Sequence, residues 1–180
     1  VGFEPDLVWG KATNSGALSH ILFDVVRGEN KQISSDLPDA QVVRSSAAYE
    51  FDLDGFTVTT AGNLNNANDF VAWNWKAGGT AVSNTDGTIT SQVSANVDAG
   101  FSIVKFTSPF NGQTAGHGLS STPEMIILKM VNTSSTWYVW TPALTSGNSL
   151  ALNDARAQNT DLAFTVNSTT FTTNWTNTNY

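Results

Sequence analysis

Three residues whose side chains could do acid–base chemistry lie near the start of the chain: His20, Asp24 and Arg27. On a strand, His20 and Asp24 would share one face because side chains alternate. An imidazole beside a carboxylate is a common proton-transfer pair. We favour a structural interpretation, a salt bridge at the end of a strand, since no Gly-x-Ser-x-Gly motif supplies a nucleophile. No catalytic residue is predicted.

Acidic side chains could serve sugar hydrolysis or a cation site. Hydrolysis needs two carboxylates facing one cleft, and no pair stands out among Asp6, Glu50, Asp52, Asp54, Asp69, Asp86 and Glu124. The stretches 52–55 and 63–69 offer oxygen ligands but lack the full spacing of a calcium loop. Two distant histidines and no cysteine do not indicate zinc. We therefore predict no metal and no cofactor.

The 6 tryptophans raise the question of ligand binding. Exposed aromatic rings among Asn, Asp and Thr are typical of carbohydrate recognition, but large aromatics also fill the cores of β-sandwiches. Trp73 and Trp75 lie on one face of a predicted strand, and we expect both, with Trp9, in the core. The candidate ligand-binding residues are Trp137, Trp140, Asn66 and Asn68.

The elements that would position these residues form a repeat. The stretch 118–129 resembles the stretch 2–11, with Pro5 matching Pro123 and Lys11 matching Lys129. Proline fixes φ and lacks an N–H, so it suits the residue just before a ladder of hydrogen bonds begins. The apolar run that follows each proline predicts a strand.

The repeat continues to the end of the chain. Gly55-Phe56-Thr57-Val58-Thr59 matches Ala163-Phe164-Thr165-Val166-Asn167, and an Asn-rich loop follows each copy. The strand predicted at 70–76 has no counterpart in the second copy, because Tyr180 aligns with Phe70, the first residue of that strand. We expect a first repeat over 1–87, a second over 88–180 that is truncated at its last strand, and a connection at 77–87. The whole would be a fragment of a longer repetitive protein, or else a diverged terminal repeat.

Composition predicts an all-β chain. Asn, Ser and Thr number 18, 18 and 23, and these residues disfavour helices while suiting turns and strand surfaces. Short strands at even spacing predict an antiparallel β-sandwich or jelly roll. The strand at 101–107 is expected to pair with the Pro-led strand at 124–131, since hairpin-linked strands are usually neighbours.

Charge excludes two classes of partner. The net charge is −7 with only 8 Lys and Arg and no basic cluster, so nucleic acid and anionic membrane surfaces are disfavoured. No apolar run approaches the roughly 20 residues that a membrane-spanning helix needs. We expect neither nucleic-acid binding nor membrane insertion.

An ordered series of short motifs carries a family resemblance, and each motif alone would be weak. The motifs are Gly2-Phe3-Glu4-Pro5-Asp6-Leu7-Val8-Trp9-Gly10-Lys11, His20-x-Leu22-Phe23-Asp24-x-x-Arg27-Gly28, Asp54-Gly55-Phe56-Thr57-Val58, Val71-Ala72-Trp73-Asn74-Trp75-Lys76, the run 94–104 and His117-Gly118-Leu119 with Pro123-Glu124. The series resembles an uncharacterised repeat domain that is common in bacteriophage virion proteins, especially those of marine and cyanobacterial phages. Gly10 departs from the pattern, which usually has an apolar residue there.

The resemblance implies a non-enzymatic structural protein on the exterior of a phage particle: a tail fibre, a capsid fibre or a decoration protein. It also implies a homo-oligomer, with a trimer favoured, in contact with other virion proteins. Host-surface glycan is the expected ligand if there is one. The alternatives are a glycan-cleaving depolymerase and a bacterial lectin-like adhesin.

Overall fold

The computed structural model describes residues 1–44, 48–59, 63–107 and 112–175, and within these ranges the protein is all-β. Every ladder between its strands is antiparallel, as expected for a sandwich-like fold. No helix in the described ranges is long and apolar enough to cross a membrane. The strands are β1 (Leu7–Ala12), β2 (Ile21–Asp24), β3 (Lys31–Ser34), β4 (Val42–Val43), β5 (Tyr49–Asp52), β6 (Gly55–Val58), β7 (Phe70–Trp75), β8 (Val82–Asn84), β9 (Ser91–Asn96), β10 (Phe101–Phe106), β11 (Thr114–Gly116), β12 (Ile126–Leu128), β13 (Tyr138–Trp140), β14 (Leu150–Ala151), β15 (Leu162–Val166) and β16 (Thr170–Trp175).

A five-stranded sheet in the order β4-β3-β2-β1-β7 forms the first half. Its inner face carries Val8 and Phe23, which are fully buried under the hairpin β5–β6. The Phe23 ring stacks on Tyr49 at 4.1 Å between centroids. Burial raises the pKa of the Tyr49 phenol, whose hydroxyl donates to Gln32 Oε1 at 2.8 Å. The phenol therefore stays neutral and holds the hairpin on the sheet.

Gly10 fits this packing. It lies on the inner face of β1, where an added Cβ would come within 2.9 Å of a methyl group of Leu64. Leu64 is buried in the core although it belongs to the Asn-rich loop after β6. A larger residue at position 10 would require the Leu64 side chain to move.

The second half contains two smaller sheets, β12-β13-β14 and β11-β16-β15. Tyr138, Leu162 and Phe164 are the buried centre of its core, and Trp140 and Trp175 pack around them. The sequence predicts second-half strands at 124–131, 136–141, 149–153, 162–167 and 170–173, and β12–β16 lie within these ranges apart from the end of β16. Apolar runs and the match with the first repeat located them.

The two halves share several features, although the repeat itself stays a prediction. The order β1-β2-β3 has a counterpart in β12-β13-β14. Lys11 Nζ donates to the carbonyl oxygen of Ser15, and Lys129 Nζ donates to that of Thr133, which is also four residues on. Downstream, the hairpins do not support the sequence match of 55–59 with 163–167. β6 is the second strand of its hairpin, whereas β15 is the first strand of its own. By hairpin position, β16 corresponds to β6.

A further three-stranded sheet, β10-β9-β8, lies between the halves and corrects two expectations. The strand at 101–106 pairs with β9 and not with β12; the prediction was wrong because the tight turn at 97–100 favours the nearer strand. The segment 77–87 contains β8, which pairs with β9 across the expected boundary at 87. The segment 41–49, for which the sequence indicates either a helical turn or a strand, contains β4 and the first residue of β5, while residues 45–47 lie outside the described ranges.

Candidate functional site

The acid–base residues near the start of the chain have a structural role. Arg27 Nε donates to Asp24 Oδ2 at 2.5 Å, and both side chains are buried. The same guanidinium donates to the carbonyl oxygens of Leu22 and Lys31. His20 lies just before β2, and its backbone N–H donates to Asp36. The salt-bridge interpretation is confirmed, and the guanidinium ties β2 to β3.

His117 is the second histidine and is also part of the framework. It is buried, and its Nδ1 accepts a hydrogen bond from the N–H of Leu119 at 3.1 Å. Nε2 lies 3.2 Å from the carbonyl oxygen of Asn167 and is therefore the protonated nitrogen. With both nitrogens engaged, this imidazole positions the chain after β11 against the β15–β16 turn.

The acidic residues are dispersed. Within the described ranges, no three side chains of His, Cys, Asp or Glu come together as a metal site would require. Asp6 is buried and accepts hydrogen bonds from the backbone N–H groups of Ala77 at 2.7 Å and Gly79 at 3.3 Å. Glu124, its counterpart in the repeat, is exposed. Asp6 thus fixes the segment after β7 to the start of β1.

Trp137 is not available to a ligand, which corrects one site prediction. The residue is 5% exposed, and its indole N–H lies 2.9 Å from the carbonyl oxygen of Ser34 and 3.1 Å from that of Leu37. Both oxygens belong to the first half of the chain. Trp137 joins the two halves, an arrangement that strand periodicity cannot reveal because its partners are about 100 residues away.

Trp9, Trp73 and Trp75 do not lie in the core, which corrects a second expectation. They share the outer face of β1 and β7, where Trp9 lies opposite Trp73. The ring centroids of Trp9 are 6.1 Å from Trp73 and 6.5 Å from Trp75. Trp73 is 47% exposed. The inner face of β7 is instead provided by Phe70 and Ala72.

Asn66 and Asn68 lie in the loop between β6 and β7. The backbone N–H of Asn68 donates to the carbonyl oxygen of Asn66 at 2.8 Å, and its side-chain amide donates to Asn66 Oδ1. The two side chains thus stabilise a turn. Trp140 belongs to β13 in another sheet, so the candidate residues do not form one site.

Trp140 lies in an open groove, the Trp140 groove, lined by Trp140, Thr141, Pro142, Leu144, Ser146, Gly147 and Phe164. Its volume is ≈ 280 Å³. The rings of Trp140 and Phe164 are 6.5 Å apart at the centroids and form an aromatic wall. Gly147 has a φ of 83°, and an added Cβ there would meet no atom within 4 Å. The glycine is therefore favoured by its backbone conformation and not by a lack of space.

The Trp140 groove combines an apolar wall with a polar rim. The hydroxyl groups of Thr141 and Ser146 lie on the loop from 141 to 147, which turns through a hydrogen bond from Leu144 N–H to the carbonyl oxygen of Thr141. Among the residues that the structure describes, no charged side chain lines the groove. A neutral ligand with one apolar face and several hydroxyl groups matches this chemistry. The signal in the sequence is a Pro- and Gly-bounded Thr/Ser loop directly after a tryptophan.

The chain was compared with known families and proteins. A family described as a domain of unknown function, DUF7483, matches residues 1–179. The chain belongs to this family. No curated protein and no solved structure matches it. The family description names no activity, so a functional hypothesis depends on the geometry above and on the resemblance of the motifs.

Proposed function

We propose that this protein is a non-enzymatic structural component of the exterior of a phage particle. The supporting observation is the use of its buried polar groups. Asp6 binds backbone N–H groups, Arg27 binds Asp24 and carbonyl oxygens, and His117 bridges two loops. These three side chains, which could otherwise take part in catalysis, thus hold strands and loops together. An antiparallel framework held by buried polar contacts suits a fibre or a decoration protein, and the ordered motifs support the same role.

Location on the particle can be tested directly. Antibodies against this chain should label the outside of intact particles produced from the genome that encodes it, as seen by immunogold electron microscopy. Empty particles from the same preparation should carry equal label, since an exterior protein does not depend on packaged DNA. Label confined to host membranes or to the surrounding medium would contradict the proposal.

We further propose that the Trp140 groove binds host-surface glycan. A pyranose ring presents an apolar C–H face to an aromatic wall and hydroxyl groups to a polar rim, which matches Trp140 and Ser146. The volume of ≈ 280 Å³ suits about one sugar residue within the groove. Contact with one residue predicts weak binding at each site, which several copies on a particle would strengthen by avidity.

Replacing Trp140 by alanine should weaken glycan binding by about tenfold, which corresponds to roughly 1.4 kcal/mol. The measurement is a titration with oligosaccharides from bacterial capsules and lipopolysaccharide O-chains, followed by nuclear magnetic resonance. The Trp140 indole N–H signal of the unmodified protein should shift on binding. This second readout does not use the variant, so it reports binding even if Trp140→Ala folds poorly.

The matched control is Trp73→Ala, which removes an exposed tryptophan from a different sheet. It should leave glycan affinity unchanged. Equal losses in both variants would contradict a specific role of the groove. An increase in reducing ends during incubation would show hydrolysis and would favour the depolymerase alternative.

A further inference from the structure

The loop 141–147 at the rim of the Trp140 groove has a counterpart in the first half, the loop 24–30. Three hydrogen bonds of the first half recur in the second at one constant interval along the chain. They are His20 N–H to Asp36 Oδ1 and Trp137 N–H to Asn153 Oδ1, Ser35 N–H to the carbonyl oxygen of His20 and Leu152 N–H to that of Trp137, and Lys31 N–H to the carbonyl oxygen of Gly28 and Asn148 N–H to that of Thr145. The same interval pairs Phe23 with Trp140, Asp24 with Thr141 and Arg27 with Leu144.

In the first half, a salt bridge holds the loop from its inner side. The Arg27 guanidinium binds the Asp24 carboxylate, and both side chains are buried. The same guanidinium donates to the carbonyl oxygens of Leu22 before the loop and of Lys31 after it. The inner side of this loop is therefore filled by charged groups that neutralise each other.

The second loop has neutral side chains at the two matching positions. Thr141 Oγ1 accepts a hydrogen bond from the N–H of Ala143 at 3.3 Å, and the Leu144 side chain has no polar atom. Both Thr141 and Leu144 line the Trp140 groove. The place that a salt bridge occupies in the first half is thus open in the second, and this loop needs another support.

Gln158 supports the second loop from its outer side. The N–H of Thr145 donates to Gln158 Oε1, and Gln158 Nε2 donates to Thr145 Oγ1, both at 3.2 Å. Thr145 is exposed and does not line the groove, although its neighbours Leu144 and Ser146 do. The two hydrogen bonds therefore act on the loop without occupying the space of a ligand.

The backbone at Gln158 is itself fixed to the sheet. Asn159, the next residue, exchanges two backbone hydrogen bonds with Ser149, at 2.8 and 3.0 Å. Ser149 is fully buried and directly precedes β14. The first half does not use this device, because Gln41, which matches Gln158, has a buried Oε1 without a hydrogen-bond partner among the described residues.

We propose that Gln158 is a positioning residue of the Trp140 groove, which holds the loop so that the Thr141 and Ser146 hydroxyl groups face a bound sugar. The inference rests on the proposed binding of glycan by this groove. A loop that is ordered before the ligand arrives loses less conformational freedom on binding, and this favours affinity. Gln158 acts through Thr145 and does not touch the sugar.

Replacing Gln158 by alanine removes both hydrogen bonds and should weaken glycan binding about threefold in the same titration that is used for Trp140→Ala. Gln158→Glu is the conservative variant, because its two carboxylate oxygens can accept the N–H and the O–H of Thr145. Its affinity should equal that of the unmodified protein. Thr145→Val should also weaken binding, and it should add little to Gln158→Ala in the double variant, since the two residues act through one contact.

A measurement without glycan separates this inference from the binding function on which it rests. Hydrogen exchange of the Thr145 amide should be faster in Gln158→Ala than in the unmodified protein and unchanged in Gln158→Glu. Weaker binding in Trp140→Ala together with unchanged binding in Gln158→Ala would overturn the positioning role and leave the groove as the glycan site. Unchanged binding in both variants would overturn the glycan function and the positioning role with it. Equal weakening by Gln158→Ala and Gln158→Glu would overturn the positioning role alone.

Discussion

Replacing Asp6 by alanine is expected to lower the free energy of unfolding by about 3 kcal/mol. The carboxylate is 2% exposed and accepts hydrogen bonds from the backbone N–H groups of Ala77 and Gly79. Alanine would leave these donors without a partner, and an unsatisfied buried donor costs about 1–3 kcal/mol. Loss of charge-assisted bonds adds to this penalty. Urea unfolding followed by tryptophan fluorescence measures the change.

The repeat offers a matched control for this substitution. Glu124 follows Pro123 as Asp6 follows Pro5, but its side chain is exposed. Glu124→Ala should therefore change stability by less than about 0.5 kcal/mol. Asp6→Asn retains one oxygen acceptor and should fall between the two. Equal effects at positions 6 and 124 would contradict the anchoring role of Asp6.

Local sequence patterns located most of the strands but not β8, and they were insufficient to predict which strands are neighbours. Proline followed by an apolar run located β1 and β12, since both signals act within a few residues. The position of β10 beside β9 depended on a turn at 97–100, whose tightness comes from Gly100 with a φ of 66°. Sequential adjacency with 124–131 was a weaker guide than this turn.

The candidate site was predictable only in part. Trp140 was identified from its residue type, and the structure places it in a groove with Phe164. Trp137, three residues earlier, was grouped with it although its indole N–H binds Ser34 and Leu37. Period-two alternation distinguishes the faces of a strand but does not say what covers each face. For the same reason, Trp73 was expected in the core although its face of β7 is the outer one.

Gly87 marks the place where two sheets join, and its substitution tests how that junction is packed. Directly after it, the backbone N–H of Thr88 donates to Thr114 Oγ1 while the N–H of Thr114 donates to Thr88 Oγ1, both at 2.8 Å. Ile89 N–H then donates to the carbonyl oxygen of Thr114. These bonds connect the segment before β9 to β11, and so hold the sheet β10-β9-β8 against the second half.

Gly87→Ala is expected to destabilise the protein by about 3 kcal/mol. An added Cβ would overlap the carbonyl oxygen of Thr114 and lie 2.6 Å from its carbonyl carbon. Both atoms are backbone, so relief requires a shift of β11 and not a change of rotamer. The φ of Gly87 is not positive, so the predicted cost is steric and not conformational.

Gly16→Ala is the control for Gly87→Ala in a thermal and urea unfolding comparison. Gly16 also lacks a positive φ, and no atom lies within 4 Å of its added Cβ. Alanine there restricts the unfolded chain and should stabilise the protein by up to about 1 kcal/mol. If Gly87→Ala were as harmless as Gly16→Ala, β11 would not pack against residue 87. The junction between the sheets would then depend on its hydrogen bonds and not on close packing at residue 87.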